Sequence, residues 1–593
     1  MKLSDYVAGF LVKLGIKHVF VITGGAAAHL IDSIAKTPGI EYVCPQHEQA
    51  GAMAADAYAR ATGKLGVAIA TSGPGATNML TGVCCSFYDS IPALYITGQV
   101  STFRSKGNTG IRQLGFQETD VTAVFKPVTK YAVKINDPQD IRYELEKAVH
   151  IAHSGRPGPV LIDIPDNLQR MDVQPKLLKS FVPKTDKNNS RLLDSQATKC
   201  INLLRQAKRP VIILGWGIYL SGAEKEALKF VEKSKLPVAP TWGLRYLFPA
   251  THPQLIGAFG THGTRYGNFA VQNADLVLSI GARLDTRQAG SPHWTFARGA
   301  KRIVVDIDPA ELKKFKRLKM RIDLEVNADA KVFLELLNQK ISVTKFPQIS
   351  NWQKRIAQWK EKFPVFRQEY FKQRDVNPYA FIKALSDEAL PNDIIFADTG
   401  CSLAWLLQAF EFKKGQKLFS AFNNTPMGYA LPASIGASFA INKKPVICVT
   451  GDGGLQMNIQ EFITAIKHNL PIKIFLFNNH GYGMIRQTQD QWFGSQYEAS
   501  TVESGLAFPD FIKVAKAYGL KTVNIAKTKD IHKGIKEALR LKGPVLCNIE
   551  IHLGHSVIPQ VKYGRALEDG EPLLDRKDFF ECMIVKPHQA SLK

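Results

Sequence analysis

Short apolar runs that end in glycine-rich turns alternate with amphipathic stretches along most of the chain. Val67 to Ala70 is followed by the turn Thr71 to Ala76, and Val446 to Val449 is followed by the turn Gly451 to Gly454. Runs that are apolar at every position are typical of strands buried on both faces of a sheet. Their alternation with helical patterns predicts strand-loop-helix units built around parallel sheets, and therefore an α/β fold class.

Two polar stretches interrupt this alternation, Val182 to Ser195 and Asn338 to Ser350. We interpret both as linkers. The 593 residues leave room for several domains, each with its own core. The sequence predicts three doubly wound parallel-sheet domains over residues 1–175, 190–340 and 360–555, followed by a tail over residues 556–593 that is rich in charged and turn residues.

Composition and charge limit the classes of function. The chain is 45% hydrophobic and 22% charged, which is typical of a globular protein and excludes a mainly disordered one. A net charge of +24 raises the alternative of a nucleic-acid-binding protein. The excess is spread in short pairs such as Lys413-Lys414 and Lys443-Lys444, so a solvated basic surface is favoured and no nucleic-acid partner is expected.

Cysteine usage and hydropathy bear on the compartment. Of the eight cysteines only Cys84 and Cys85 are close together, which fits neither a disulfide framework nor a metal-ligand spacing. The apolar runs are much shorter than the ~20 residues that cross a bilayer. The segment Met1 to Phe20 is interpreted as a surface helix leading into a strand rather than as a signal peptide. We therefore expect a cytoplasmic protein with no membrane partner.

The most specific motif is Gly451-Asp452-Gly453 together with Asn478-Asn479. Each follows an apolar run, Pro445 to Val449 and Ile472 to Phe477. A carboxylate and an amide at neighbouring strand ends are ligands suited to Mg²⁺, and the glycines allow a diphosphate to approach. The alternative is a tight turn and a helix cap, which either motif alone would suggest.

This spacing resembles that of enzymes dependent on thiamine diphosphate, and the segments Gly451 to Asn469 and Met484 to Gln489 resemble the catalytic subunit of acetolactate synthase. The resemblance implies the cofactors thiamine diphosphate and Mg²⁺, with Asp452, Asn479 and the backbone carbonyl of Gly481 as the metal ligands. It also identifies the first domain as pyrimidine-binding, the central one as the FAD-binding type and the third as diphosphate-binding. The implied thiamine diphosphate contacts are Gly25, Gly75, Met427, Gly451, Gly453, Gly454, Met457 and Met484.

Two of the implied residues have specific roles. Glu48 lies in His47-Glu48-Gln49, between a predicted strand, Ile40 to Val43, and a helix of small residues, Ala50 to Arg60. By resemblance it bonds the aminopyrimidine ring and so promotes removal of the cofactor's C2 proton; the alternative is a glutamate favoured at a helix N-terminus. Met427 would force the cofactor rings into a V shape, whereas a buried methionine is otherwise core filler.

The first domain carries two further strand-end loops, Thr71 to Asn78 and Gly115 to Asp120. By resemblance, Phe116 and Gln117 lie at the active site beside pyruvate. The Gln117 amide is suited to stabilising a developing oxyanion. The alternative for both loops is ordinary turn and capping chemistry.

The central domain contains three strings similar to those with which acetolactate synthases bind FAD: Phe259 to Thr264, Ala274 to Arg287 and Ile303 to Asp308. Basic groups would contact the pyrophosphate and an acidic one a ribose hydroxyl. The alternative is an inherited scaffold without a flavin. The implied FAD contacts are His262, Arg283, Arg287 and Asp306.

The resemblance fails at several positions. Gln487-Thr488-Gln489 stands where these synthases usually have Gln-Trp-Gln, and Cys401-Ser402-Leu403 stands where they have Gln-His-Gln. Ile22 and Thr23 replace Tyr-Pro, and Asp166 replaces a lysine. A threonine in place of tryptophan predicts a larger and wetter acceptor pocket, as in carboligases that attach an acetyl unit to a ketosugar.

The resemblance thus implies a carboligase that decarboxylates pyruvate and adds the acetyl unit to a second carbonyl substrate, expected to be a 2-oxo acid. Transfer to a ketosugar in polysaccharide biosynthesis, a 2-oxo acid decarboxylase and a pyruvate oxidase are the alternatives. Glu48 and Asp452 belong to different domains, and in the family they meet across a subunit interface. A homodimer or homotetramer is therefore expected.

Overall fold

The computed structural model describes residues 1–183, 190–341, 346 and 348–592. Within them the strands form three separate sheets, and every pairing between neighbouring strands of a sheet is parallel. The predicted α/β class with three parallel-sheet domains is confirmed. Among the helices of these residues, none is both long and apolar enough to cross a bilayer.

The first sheet has the strand order β2-β1-β3-β4-β6-β5. Its central strands are buried at every residue because helices cover both faces. Its strands are β1 (His18–Val21), β2 (Glu41–Val43), β3 (Gly66–Ala70), β4 (Ala93–Gln99), β5 (Tyr131–Lys134) and β6 (Val160–Pro165). Its helices are α1 (Leu3–Lys13), α2 (Ala28–Lys36), α3 (Glu48–Thr62), α4 (Pro74–Asn78), α5 (Leu80–Asp89), α6 (Val121–Phe125), α7 (Ile141–His153) and α8 (Asp166–Gln169).

The second sheet has the order β11-β10-β9-β7-β8. Its strands are β7 (Pro210–Leu214), β8 (Val238–Pro240), β9 (Leu276–Ile280), β10 (Lys301–Asp306) and β11 (Leu324–Asn327). Its helices are α9 (Ser190–Gln206), α10 (Gly217–Leu220), α11 (Glu224–Ser234), α12 (Arg265–Gln272), α13 (Thr286–Ala289), α14 (Pro309–Arg317), α15 (Ala330–Ile341) and α16 (Ser350–Lys362).

The third sheet has the order β13-β12-β14-β15-β17-β16, which repeats the topology of the first sheet strand for strand. Its strands are β12 (Ile394–Ala397), β13 (Lys417–Phe419), β14 (Val446–Gly451), β15 (Ile472–Asn478), β16 (Lys521–Ile525) and β17 (Val545–Glu550). The helices from here to the tail are α17 (Pro378–Glu388), α18 (Cys401–Ala409), α19 (Ala430–Ala440), α20 (Asp452–Met457), α21 (Phe462–Lys467), α22 (Gly483–Trp492), α23 (Phe511–Tyr518), α24 (Ile531–Arg540) and α25 (Arg576–Cys582).

The linker predictions hold only in part. Residues 184–189, 342–345 and 347 lie outside the described residues. Helix α9 already begins at Ser190, so the first predicted linker, Val182 to Ser195, extends too far at its C-terminal end. The reason is amphipathicity: Ala197, Cys200, Ile201 and Leu204 are buried at helical spacing, while the polar residues that suggested a linker lie on the exposed face.

The first and third domains pack directly on each other through α3 and α19. Gly436 is needed there, because a Cβ atom at this position would clash with the carbonyl group of Ala54. Beside this contact Arg60 is fully buried, with its guanidinium 2.6 Å from Asp56 and 2.9 Å from Asp89. The same chain thus holds its two predicted cofactor-binding domains in one fixed orientation.

The tail packs on the central domain. The Asn273 Nδ2 group donates to the carbonyl oxygen of Cys582 at the end of α25 (2.9 Å), and the backbone N–H of Val561 donates to the carbonyl oxygen of Thr261 (2.7 Å). These contacts bring the start of the tail to α22 of the third domain, where the Gln487 side chain exchanges two hydrogen bonds with the backbone of Val557.

Candidate active site

The predicted metal ligands come together at the carboxyl ends of β14 and β15. The two strands pair in register, with Gly451 opposite Phe477, so Asp452 and Asn479 emerge side by side. The buried Asp452 carboxylate accepts hydrogen bonds from the backbone N–H groups of Gly453 (2.6 Å), Asn479 (3.0 Å) and Gly481 (3.3 Å). Burial raises the pKa of this carboxyl group to about 6.

The side chain of Asn479 completes the cluster. Its carboxamide reaches Oδ2 of Asp452 at 3.1 Å and the carbonyl oxygen of Gly481 at 2.8 Å. In one orientation of the Asn479 amide, its NH₂ group donates to both of these oxygens. In the other orientation, its Oδ1 atom, Oδ2 of Asp452 and the Gly481 carbonyl oxygen face one point. A carboxylate, an amide and a backbone carbonyl form the donor set of a hard cation such as Mg²⁺, which takes its other ligands from phosphate and water.

Glycines are required beside this cluster because other side chains pack directly against their backbone. A Cβ atom on Gly453 would lie 2.8 Å from Cε of Met427, and one on Gly454 would lie 2.5 Å from Oδ2 of Asp398. Gly428, which follows Met427, has a φ of 88° and donates its N–H to both Asp398 oxygens at 3.1 Å. Met427 is therefore fixed against the glycine turn after β14.

Two helix N-termini point toward the same region. A Cβ atom on Gly483, the first residue of α22, would lie 2.9 Å from Nδ2 of Asn479 and 3.3 Å from Sγ of Cys401, the first residue of α18. Burial, together with the Asp452 carboxylate, raises the pKa of the Cys401 thiol to about 12. Helix N-termini provide free N–H groups that suit a diphosphate.

The predicted residues of the first domain gather at a separate edge. Glu48 begins α3, and His47 caps it by accepting the N–H of Gln49, so the helix starts two residues earlier than the sequence predicted. Oε2 of Glu48 accepts a hydrogen bond from Nδ2 of Asn78 (3.0 Å), and a Cβ atom on Gly75 would lie 3.4 Å from Oε1. Gly75 therefore keeps the approach to the carboxylate open.

Beside Glu48 lies a residue that the sequence reasoning did not single out. A Cβ atom on Gly24 would lie 2.5 Å from Cβ of Thr71, while one on Gly25 would meet no atom within 4 Å. Oγ1 of Thr71 is buried without a hydrogen-bond partner among the described residues. Thr71 directly follows β3 and belongs to the predicted strand-end loop Thr71 to Asn78. Its position in that loop was the sequence signal that could have identified it as a site residue.

Phe116 and Gln117 lie on an open loop of the same edge. The Phe116 side chain is 85% exposed, which is unusual for a large aromatic residue. Gln117 has a φ of 61°, and its carbonyl oxygen would lie 2.7 Å from a Cβ atom on Gly73. No hydrogen bond or ion pair within the described residues joins Glu48, Phe116 or Gln117 to the metal cluster.

A loop contact links the two edges within one chain. Oε1 of the buried Glu461 accepts the backbone N–H of Gln46 (2.8 Å), and its Oε2 accepts the hydroxyl of Thr464 (2.8 Å). Burial raises the pKa of Glu461 to about 7. This hydrogen bond holds the loop that precedes Glu48 against the third domain. Gln46 and Glu461 are 415 positions apart, so no local sequence pattern indicates their contact.

A cavity of about 350 Å³ lies between the first and central domains. Its lining includes Arg283, Arg287 and Asp306, three of the predicted FAD contacts. Arg156 of the first domain also lines it; its guanidinium lies 2.8 Å from Glu311, which also receives Arg283 at 3.0 Å. The other lining residues that the sequence reasoning missed include Trp216, Trp242 and Asp329.

The electrostatics of this cavity suit a dinucleotide. The Glu311 carboxylate balances Arg156, Arg283 and Lys314, which lower its pKa to about 2 against the opposing effect of burial. Burial raises the pKa of Asp306, whose Oδ1 accepts the N–H of Asp308 (2.9 Å). Guanidinium groups, a carboxylate and indole rings in one cavity fit a pyrophosphate, a ribose hydroxyl and an aromatic ring system.

His262, the fourth predicted FAD contact, lies outside the residues that line this cavity. Its Nε2 receives Nε2 of Gln560 at 3.0 Å, and its ring lies 5.8 Å from that of Trp242. Burial, with the nearby Arg287, lowers the pKa of His262 to about 4, so the ring is neutral. The structure therefore places His262 between the tail and the cavity rather than at its surface.

The side chains of Gln487 and Gln489, on either side of Thr488 in α22, form hydrogen bonds within the protein. Gln487 binds the backbone of Val557, while Gln489 donates to the carbonyl oxygen of Glu498 (2.8 Å) and accepts from the Ser500 hydroxyl (2.6 Å). Thr488 lies between them on the helix face that carries Met484 and Gln491.

Comparison with known proteins agrees with this geometry. Residues 1–124 match the family "Thiamine pyrophosphate enzyme, N-terminal TPP binding domain", residues 197–337 match the central domain of that enzyme group, and residues 398–549 match its C-terminal TPP binding domain. Thiamine pyrophosphate is thiamine diphosphate under its other name. Glu48 and Asp452, which mark the two site edges, thus fall in the two domains described as binding the cofactor.

Full-length relatives give a closer comparison. The chain is 35% identical to an acetolactate synthase large subunit of Pyropia yezoensis over 568 residues, which cover 94% of this chain and 93% of the relative. It is 35% identical to a probable acetolactate synthase large subunit of Methanocaldococcus jannaschii, with 99% of each chain covered, and 33% identical to acetolactate synthase 2 of Zea mays, with 95% and 88% covered. The chain therefore belongs to the thiamine-pyrophosphate-dependent enzymes and resembles the acetolactate synthase large subunits over nearly its whole length.

Proposed function

We propose that this enzyme is a carboligase that uses pyruvate as donor and a second carbonyl compound as acceptor. The bond between the carboxylate and the carbonyl carbon of pyruvate breaks with release of CO₂, and the acetyl carbon forms a new bond to the acceptor carbonyl carbon. The acceptor oxygen takes up one proton and becomes a hydroxyl group. The observation that carries the proposal is the cluster of Asp452, Asn479 and Gly481 in a chain similar to acetolactate synthase subunits.

Mg²⁺ is the proposed metal. Asp452, Asn479 and the Gly481 carbonyl would hold it. Gly451, where an added Cβ atom would meet only the carbonyl oxygen of Phe477 at 4.0 Å, would leave space for the diphosphate. When bound, thiamine diphosphate supplies the carbon nucleophile that attacks pyruvate. Gly451, Gly453, Gly454, Met427, Met457 and Met484 are the proposed contacts in the third domain, and Gly25 and Gly75 those in the first.

Glu48 is the proposed proton-relay residue. Its carboxylate is half-buried at the start of α3, with Oε2 held by Asn78 and an open approach above Gly75. Asn78 fixes one carboxylate oxygen, and the other would be free to bond a ring nitrogen of the bound cofactor. Phe116 and Gln117 are proposed to face pyruvate, with the Gln117 amide donating to the oxygen on which negative charge develops.

A homodimer or homotetramer is the proposed assembly. Within the described residues the Gln46–Glu461 contact joins the loop before Glu48 to the third domain, but no hydrogen bond or ion pair joins Glu48 itself to Asp452 or Asn479. Both edges expose large apolar side chains. Phe103, Leu114 and Phe116 are 68%, 60% and 85% exposed on the first edge, and Trp492 and Phe493 are 53% and 57% exposed after the metal loop. Two copies that paired these edges would complete two sites at once.

FAD is proposed to bind in the cavity between the first and central domains. Arg283, Arg287 and Arg156 would meet its pyrophosphate, and Asp306 a ribose hydroxyl.

We also propose the domain limits 1–175, 190–340 and 360–555 with the tail at 556–593, and a cytoplasmic location.

The expected acceptor is a 2-oxo acid. A second candidate, a ketosugar, is favoured by Thr488, because a small polar side chain there leaves room and hydrogen-bonding capacity that the usual tryptophan would remove.

The test is product analysis with thiamine diphosphate and Mg²⁺ present. Pyruvate alone should give CO₂ and acetolactate, identified by mass spectrometry. Acetaldehyde as the only product would contradict ligation in favour of a decarboxylase, and peroxide would indicate an oxidase. Asp452→Ala should abolish CO₂ release and Mg²⁺ binding measured by calorimetry, whereas the exposed Asp172→Ala serves as the matched control.

A further inference from the structure

Phe116 and Gln117, the residues proposed to face pyruvate, lie at the tip of a tight turn. The backbone N–H of Glu118 donates to the carbonyl oxygen of Gly115 (3.0 Å), which closes the turn over these two residues. Gln117 has a φ of 61°, in the left-handed region that a turn more often fills with glycine or asparagine. A non-glycine residue keeps such a conformation only where the surrounding structure holds it. Contacts outside the tip must therefore fix this turn.

The side chain of Glu118 supplies these contacts. Its Oε2 accepts the backbone N–H groups of Leu114 (2.9 Å) and Gly115 (3.2 Å). Its Oε1 accepts the hydroxyl of Ser105 (2.8 Å) and the backbone N–H of Lys106 (2.7 Å). The residue is only 7% exposed. Four donors from both arms of the loop that precedes the turn thus converge on one buried carboxylate.

The ionised form of Glu118 is the one that suits this arrangement. Burial by itself would raise the pKa of the carboxyl group, but the four hydrogen bonds outweigh burial and lower the pKa below its ordinary value. A carboxylate accepts at both oxygens, whereas a glutamine amide offers one acceptor oxygen and one NH₂ donor. Only an acidic side chain of this length can therefore satisfy all four donors.

The chain after the turn is fixed to the first sheet. Nε2 of Gln99, at the end of β4, donates to the carbonyl oxygen of Thr119 (2.9 Å) and to Oδ2 of Asp163 in β6 (2.9 Å). Residues 107–114, by contrast, are all exposed, so this part of the loop has no core of its own. Glu118 stands between the two parts, with its backbone next to the anchored residue and its side chain bonded to the exposed arms.

We propose that Glu118 is a positioning residue of the active site. Its carboxylate holds the turn so that the Gln117 amide meets the oxygen of pyruvate on which negative charge develops. Glu118 itself does not touch the substrate and acts through Gln117. This inference rests on the proposed function, since it explains how the proposed role of Gln117 is achieved.

The first experiment replaces one acceptor oxygen. Glu118→Gln keeps the size of the side chain, but its NH₂ group cannot accept from the backbone N–H groups of the loop. In the full-length enzyme with thiamine diphosphate and Mg²⁺, kcat for CO₂ release from pyruvate should fall about 10²-fold, while KM changes less than about threefold. The reason is that the bond lost is one made in the transition state. Glu41→Gln, at an exposed position of the first domain, is the control and should leave both constants unchanged.

Exchange of the cofactor C2 proton, measured by NMR, separates positioning from general damage. This step depends on Glu48 and not on the turn, so its rate in Glu118→Gln should stay within about twofold of that of the unmodified enzyme. Exchange also requires Glu48 to reach the cofactor, so an unchanged rate excludes both unfolding and loss of the proposed dimer as the cause of a low kcat. A fall in exchange equal to the fall in kcat would overturn the inference.

A double-mutant cycle tests whether Glu118 acts through Gln117. Gln117→Ala should lower kcat for CO₂ release about 10²-fold, because the donor to the developing oxyanion is removed. The double variant Glu118→Gln, Gln117→Ala should be at most about threefold slower than Gln117→Ala alone, since there is no amide left to position. Effects that multiply to about 10⁴ would refute the link between the two residues.

The outcomes separate this inference from the proposed function. No CO₂ from pyruvate with the unmodified enzyme would overturn the carboligase function, and this inference with it. A normal kcat in Glu118→Gln or in Gln117→Ala would overturn this inference and leave the carboligase function standing. If Glu118→Gln does not fold, Ser105→Ala removes only one of the four donors: it should lower kcat about threefold with proton exchange unchanged, and an unaltered kcat there would count against Glu118.

Discussion

Removal of the buried Arg60 tests how the first and third domains are held together. The guanidinium lies 2.6 Å from Asp56 and 2.9 Å from Asp89, and it also donates to the carbonyl oxygen of Ser420 (2.8 Å). Arg60→Leu would leave two buried carboxylates without their cation. Breaking one side of a buried ion pair costs about 3–5 kcal/mol, and an unsatisfied carbonyl oxygen adds about 1 kcal/mol.

The expected loss is therefore about 4–6 kcal/mol in the free energy of unfolding, a large part of the ~5–15 kcal/mol typical of a folded protein. The assay is urea unfolding of the enzyme without cofactors, followed by circular dichroism. Arg321→Leu is the control: this side chain is 85% exposed in its pair with Asp323, so its loss should cost less than about 1 kcal/mol.

The pH dependence gives a second readout. Burial raises the pKa of Asp89, and Arg60 opposes that effect. Without Arg60 the carboxyl group favours its protonated form more strongly, so the deficit of the variant should shrink as the pH falls from 8 to 5. A deficit below 1 kcal/mol, or one that is the same at both pH values, would refute the assignment of this cluster as an electrostatic link.

Three further changes test the site and the fold. Glu48→Gln should slow exchange of the cofactor C2 proton, measured by NMR, by about 10² or more, because the relay carboxylate is lost. Thr488→Trp should reduce products from large acceptors relative to pyruvate, measured by mass spectrometry, because the ring fills the face beside Gln491. Burial raises the pKa of Asp163 to about 7, so its charge lowers stability progressively between about pH 4 and 7; Asp163→Asn should flatten the change in unfolding free energy, measured by urea titration, across that range.

Each of these has a matched control. Glu41→Gln at an exposed position should leave proton exchange unchanged, and a normal exchange rate in Glu48→Gln would exclude Glu48 from the relay. Thr488→Val keeps the volume, so it should preserve the range of acceptor sizes; an unaltered range in Thr488→Trp would show that this face is not part of the pocket. Asp172→Asn, 89% exposed, should not change the pH profile, and a profile equally steep in Asp163→Asn would contradict the role of Asp163.

Local patterns in the sequence were sufficient for much of the site. Asp452 and Asn479 each follow an apolar strand, and parallel neighbours present their carboxyl ends at one edge, so the prediction that they meet required only that β14 and β15 be adjacent. Sequence patterns predicted the ends of helices less accurately. Helix α3 begins at Glu48 rather than at Ala50, because His47 caps it, and α9 begins inside the predicted linker Val182 to Ser195.

Local sequence patterns did not predict the contacts between domains. Arg156 lines the cavity between the first and central domains from a different domain than Arg283, Gln46 is held by a residue 415 positions away, and Gln560 meets a histidine 298 positions away. Nothing in the local spacing of these residues signals a partner, since the contacts depend on how completed sheets and helices pack.

By itself the sequence determined the parallel α/β architecture, the strand-end positions of Asp452 and Asn479 and the membership in the thiamine-dependent enzymes, because each follows from periodicity or short motifs. Only the tertiary structure decided that the first and third sheets share one strand order, that His262 belongs to the tail contacts rather than to the cavity surface, and that Gln491 meets Gln560 of the tail. The physical reason is that side chains far apart in the chain become neighbours only after the domains have folded and packed against one another.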